Sequence, residues 1–139
     1  MKKLLILWLI TFSSVLFAQL SDTDREKWMI FLKNEEKRHL KNYEKECNTN
    51  NFYSCFIAGN RYASEEGTFR DIFKAVELYQ KACDNNVGSG CNSLGVMYEK
   101  GQGVRLDKSK AFSLFGKSCD LKNEDGCENY AKLKNVGVK

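Results

Sequence analysis

The 139 residues begin with eighteen that read as a removable leader, and the 121 that remain suffice for one domain with a modest core but not for two. Apolar residues at 42% and charged residues at 29% exclude a disordered, collagen-like or multi-span membrane chain, and the absence of proline favours an all-α fold. The formal charge of +4 falls to +2 once Lys2 and Lys3 leave with the leader, which marks no nucleic-acid-binding surface.

Residues 1–18 have the layout of a secretory signal peptide: positive Met1-Lys2-Lys3, apolar Leu4 to Phe17, and small Ala18 at the cleavage point. The apolar stretch is shorter than the roughly 20 residues of a spanning helix, although Leu16 is an imperfect match at the cleavage site and leaves an uncleaved anchor as the alternative. The expectation is a secreted or periplasmic protein with no membrane association after leader removal. Residues 19–34 follow as an N-terminal capping segment. The possible caps Ser21 to Asp24 and the apolar cluster Trp28, Phe31 and Leu32 predict a helix over 22–33, with a break near Asn34.

From residue 35 the chain repeats. Cys47, Cys83 and Cys119 are 36 apart, as are Cys55, Cys91 and Cys127, and the same shift aligns Tyr43, Tyr79 and Phe115, and Lys45, Lys81 and Lys117. Three repeats result, at about 35–70, 71–106 and 107–139. In the central one, Ala75, Leu78, Tyr79 and Ala82 form an amphipathic stripe behind the N-cap candidate Asp71, and Cys91, Leu94, Gly95 and Tyr98 form a second. The turn-rich segment Asp84 to Gly90 joins them into a helical hairpin, and Gly101-Gln102-Gly103 ends the second helix before Asp107 caps the next. One hairpin cannot bury its apolar face alone, so the hairpins stack into an all-α solenoid, with Ala75 and Gly95 allowing close backbone approach. His39 stands where Ala75 and Ala111 stand in the other repeats and is read as an imidazole packed at the end of the stack. Lys134 replaces Tyr62 and Tyr98, a polar substitution suited to a terminal repeat.

The cysteine pairs have seven intervening residues, more than the two to four usual in zinc sites, and the chain has one histidine. No metal and no cofactor is implied. Six cysteines allow fifteen connectivities. Each first cysteine ends a first helix and each second one begins a second helix, so the period selects the local bridges Cys47–Cys55, Cys83–Cys91 and Cys119–Cys127. Closing a loop of about nine residues contributes roughly 2.5 kcal/mol per bridge in the chain-entropy account.

The segments Lys74 to Asp84, Gly90 to Tyr98 and Gly101 to Ala111 resemble the Sel-one-like repeat, and more narrowly the Helicobacter cysteine-rich protein family. The resemblance covers residues 35–136, with a divergent Gly67-Thr68-Phe69 in place of the Gly-Val turn. It implies a right-handed α/α superhelix related to tetratricopeptide arrays, a secreted or periplasmic location, and the family's classification as penicillin-binding proteins with weak β-lactamase activity.

The residues themselves carry no such chemistry. None of the ten serines has lysine three residues on, and no Lys-Thr-Gly occurs. The function read from the pattern is a protein- or peptide-binding module, with cell-wall fragments or β-lactams as the further ligands the resemblance allows. Its binding surface is expected on the concave side, lined by the first helices on the face away from their core stripe. In the central repeat this face carries Phe73, Glu77, Gln80 and Asp84, in the first Lys37, Lys41, Glu44 and Asn48, and in the third Ser109, Ser113, Gly116 and Asp120. Phe73 is an aromatic where solvent is expected, and two readings of it stand side by side: an anchor for a ligand, or a ring packed over the turn at its helix start.

Overall fold

The computed structural model describes residues 19–65 and 69–139; the leader and the Gly67-Thr68 turn lie outside the described residues. Six helices and no strand are found among them: α1 Asp22–Asn48, α2 Phe52–Ala63, α3 Ile72–Asp84, α4 Gly88–Lys100, α5 Lys108–Asp120 and α6 Glu124–Asn135. By its internal contacts the chain divides into two units between Lys37 and Arg38.

In the first unit, Ser21 caps α1 by accepting the Asp24 amide on its hydroxyl at 3.2 Å. The break expected near Asn34 does not occur, and α1 runs on to Asn48. Asn34 costs a helix only about 0.7 kcal/mol relative to alanine at most, and the Glu35-Glu36-Lys37-Arg38 that follow are good helix formers with no glycine or proline among them.

The second unit consists of three hairpins built alike. In each turn one residue takes a left-handed conformation: Asn50 (φ 69°), Asn86 (φ 63°) and Lys122 (φ 65°). The amide after it reaches back five residues, Asn51 to Glu46, Val87 to Ala82 and Asn123 to Ser118, at 3.0–3.1 Å. These bonds close the first helix in a Schellman motif, satisfying carbonyls that the helix end would leave unpaired. The motif makes the first cysteine the penultimate residue of its helix and puts the second in the opening turn of the next helix. Their Cα atoms stand 4.7, 4.5 and 4.4 Å apart, and all three local disulfides are formed.

Stacking uses the predicted stripe. Ala75, Leu78, Tyr79 and Ala82 are all buried, as are Cys91, Leu94 and Gly95. Two glycines on second helices seat aromatic rings of the next hairpin: a Cβ built on Gly59 or on Gly95 would lie 2.6 Å from the ring of Tyr79 or of Phe115, respectively. Asp71 and Asp107 cap α3 and α5 through the amides of Lys74 and Lys110, as expected. Their own amides are held by the carbonyls of Tyr62 and Tyr98 at 2.9 Å, tying each hairpin to the one before it.

A further expectation is corrected. His39 is exposed, and Leu40 beside it is the buried residue. Ala75 and Ala111 are covered by a preceding hairpin, whereas among the described residues no hairpin precedes α1, and the imidazole is exposed. The second helix α4 touches both α2 before it and α6 after it. The first helices α1, α3 and α5 follow one another along the stack. Long side chains bridge them: Lys81 donates to Asn48 Oδ1 at 2.9 Å and Lys117 to the Cys83 carbonyl at 2.8 Å. Each ammonium sits at the C-terminal end of the preceding first helix, where the helix dipole favours positive charge.

Candidate functional site

The outer face of α3 exists because the inner stripe faces the core. Phe73, one residue into the helix, is 69% exposed, and Glu77 and Asp84 are exposed beyond it, with Gln80 half-buried. Glu77 pairs loosely with Lys74 at 3.6 Å, and Gln80 donates to Asp84 at 2.8 Å. This leaves an aromatic ring at one end of the helix and an amide–carboxylate pair at the other.

The flanking first helices present less. Lys37 and Lys41 are exposed, and Asn48 is engaged by Lys81. Glu44 is turned into its own hairpin, where it accepts the Tyr62 hydroxyl at 2.9 Å. On α5, Ser109, Ser113 and Asp120 are exposed, with the Ser113 hydroxyl donating to the Ser109 carbonyl at 3.2 Å. A Cβ on Gly116 would lie 3.3 Å from the Tyr130 ring, so this position serves packing more than contact with a ligand.

Polar pairs across the hairpins escaped sequence reading. Tyr62 binds Glu44, eighteen residues away, and Tyr79 donates to Asn60 Oδ1 at 2.8 Å. Burial pushes the Tyr62 phenol up to about 12, helped by the Glu44 hydrogen bond and by the charges of Glu44 and Asp71. Burial alone takes Tyr79 to about 12, against a smaller lowering by Ser93. Both are neutral donors at physiological pH, unsuited to act as bases or nucleophiles. Ser54 donates to the Glu46 carboxylate at 2.5 Å, a serine–carboxylate pair, but Ser54 is only 2% exposed and a substrate could not reach it. Among the described residues no buried side-chain polar atom lacks a partner, and no three His, Cys, Asp or Glu side chains converge on a metal position.

Helical hairpins of 36-residue period, each closed by its own disulfide and stacked through glycine–aromatic seats, define an α/α solenoid-like repeat protein. The chain belongs to the Sel1 repeat family, whose profile matches residues 53–87 and 88–123, just over half of its length. The profile cuts the period at the second helix, out of phase with the hairpins described above. Among solved structures the fold is similar to Helicobacter pylori cysteine rich protein B, with a TM-score of 0.60, 32% identity, and coverage of 64% of this chain and 67% of that one. It is also similar to a Sel1 repeat protein from Oxalobacter formigenes, with a TM-score of 0.65 and 26% identity over 83% of this chain. The chain spans about half the length of the latter, 48%. No curated protein matches significantly. Among the described residues no helix is long and apolar enough to cross a membrane.

Proposed function

We propose that this chain is an exported, disulfide-braced interaction module that captures a protein or peptide on the outer face of its first helices, centred on α3. The observation that carries the reading is Phe73, which stands 69% exposed at the start of α3 in line with Glu77, Gln80 and Asp84. A large aromatic on the exposed face of a helix, outside the core clusters, is the kind of anchor on which binding energy concentrates. Exposure selects this face. Lys41 and Ser113 extend it to either side. Sel1 repeats generally mediate protein–protein interactions, in keeping with this assignment.

Export to the periplasm or the medium is supported by the signal-like residues 1–18 and by six cysteines all held in disulfides, which persist in oxidising compartments. The test is selection of a displayed peptide library on the purified protein, followed by calorimetry of one selected peptide. Phe73→Ala, and separately Glu77→Ala with Gln80→Ala, should each weaken that peptide about tenfold or more while leaving the melting temperature nearly unchanged. Unaltered affinity in both variants would remove the site from this face. A covalent adduct with a fluorescent penicillin would replace the reading by the β-lactam-directed one that the Helicobacter resemblance implies.

A further inference from the structure

Five consecutive large apolar residues, Trp28-Met29-Ile30-Phe31-Leu32, stand 49–59% exposed on α1. Scattered apolar side chains on a surface need no explanation, but a contiguous patch does. At 100° per residue, Trp28 and Leu32 fall on one line with Arg25 before them and Glu35 after them. The spacing of three, four and three is that of a coiled-coil seam. Met29 and Phe31 flank the line, while Ile30 points the other way; the Trp28 and Phe31 rings meet edge to face at 5.7 Å.

This seam is its own complement. When two copies run antiparallel about Ile30, Trp28 of each faces Leu32 of the other and Arg25 of each faces Glu35 of the other, so every favourable pair occurs twice. A parallel arrangement would set arginine against arginine and glutamate against glutamate. Arg25 also holds the Leu20 carbonyl through Nε at 3.1 Å and Asp22 at 3.7 Å; five guanidinium donors accommodate these contacts together with a carboxylate. Covering the exposed halves of four side chains on each copy removes on the order of 100 Å² apiece, or about 800 Å² before the stems of Arg25 and Glu35 are added. That is close to the roughly 1,000 Å² at which specific contacts begin, enough for a weak dimer. We infer that the stretch 22–37 of α1 is an antiparallel self-association seam, pairing two copies of this chain with a dissociation constant in the micromolar range.

The inference concerns the chain from Gln19, the form left by leader removal, and the N-terminus of exported protein checks that premise separately. Trp28 is the one tryptophan of that form, so its fluorescence reports burial directly. Sedimentation velocity from about 1 to about 300 µM should show a monomer–dimer transition, accompanied by a blue shift of Trp28 emission. Leu32→Ala and Arg25→Glu should each raise the dissociation constant about tenfold or more, and Arg25→Glu combined with Glu35→Arg should bring it back to within about threefold of the parent. Far-UV circular dichroism confirms that each variant keeps its helices. A monomer over the whole range overturns the inference, and so does a double charge swap that fails to restore association. Capture of a monomer by phosphatidylglycerol vesicles with the same blue shift would assign the patch to a lipid surface instead, and likewise overturns it.

Discussion

Replacing Gly95 by alanine sets two effects of known size against each other. In a helix interior the exchange is favourable by about 1 kcal/mol, because glycine loses the most backbone freedom on ordering. Here, however, the added Cβ would stand 2.6 Å from Cε1, 2.7 Å from Cδ1 and 3.1 Å from Cζ of Phe115, where carbon atoms prefer about 3.5–4.0 Å. Phe115 is fully buried among Ala111 and Leu133, so its ring cannot swing away into solvent, and the hairpins must move apart by about 1 Å instead. Overpacking costs about 1–3 kcal/mol, and a clash with a fully buried ring belongs in the upper half, about 2–3 kcal/mol, so with the propensity gain subtracted we expect a net loss of about 1–2 kcal/mol. For a unit of this size that lowers the melting temperature by roughly 5–10 °C. Gly116→Ala is the control. Its Cβ would meet only the half-buried Tyr130 ring, at 3.3 Å, so the propensity gain should prevail. The assay is reversible denaturant unfolding with the disulfides intact. Equal stabilities for the two variants, or a Gly95→Ala protein at least as stable as the parent, would refute glycine–aromatic seating as what joins the hairpins.

Lys122→Asn should stabilise by about 0.5–1 kcal/mol in the same assay, since Lys122 holds the left-handed conformation that asparagine holds in the other two turns; a loss of stability would count against this. Cys119 and Cys127 are half-buried while the other four cysteines are at most 1% exposed, so mild reductant should open Cys119–Cys127 first. Alkylation with peptide mapping checks the order, and prior opening of either other bridge contradicts it. Tyr62 and Tyr79 are raised from 10 to about 12 in the folded chain, so their contribution to stability is whole below pH 10 and lost as the pH climbs towards 12. Melting temperature followed across that window should fall, and replacing both by phenylalanine should flatten the fall; an unchanged slope would mean that other groups govern it.

What the sequence made legible is what repeats. The period located the hairpins, the caps Asp71 and Asp107 and all three disulfides, because each depends on the same local chemistry recurring every 36 residues. The departures from the period were opaque. His39 breaks a column of alanines, and whether it packs or floats depends on whether a hairpin precedes it. Glu46 and Ser54 stand where the other repeats have Ala82 with Gly90 and Ser118 with Gly126, and their mutual hydrogen bond has no counterpart to announce it. Glu44 looked outward by helical phase alone. The Tyr62 hydroxyl, brought near by hairpin closure, draws it inward. The exposure of Phe73 was legible, since a residue facing away from the core stripe needs only the helix period to be placed.

The most direct test is a non-reducing peptide map of the native protein, recovered separately from the cell envelope and from the medium. The account predicts a chain that starts near Gln19, carries no free thiol and yields only the links Cys47–Cys55, Cys83–Cys91 and Cys119–Cys127. A chain that retains Met1, or one whose cysteines are reduced or joined between different hairpins, would contradict an exported stack of individually closed hairpins.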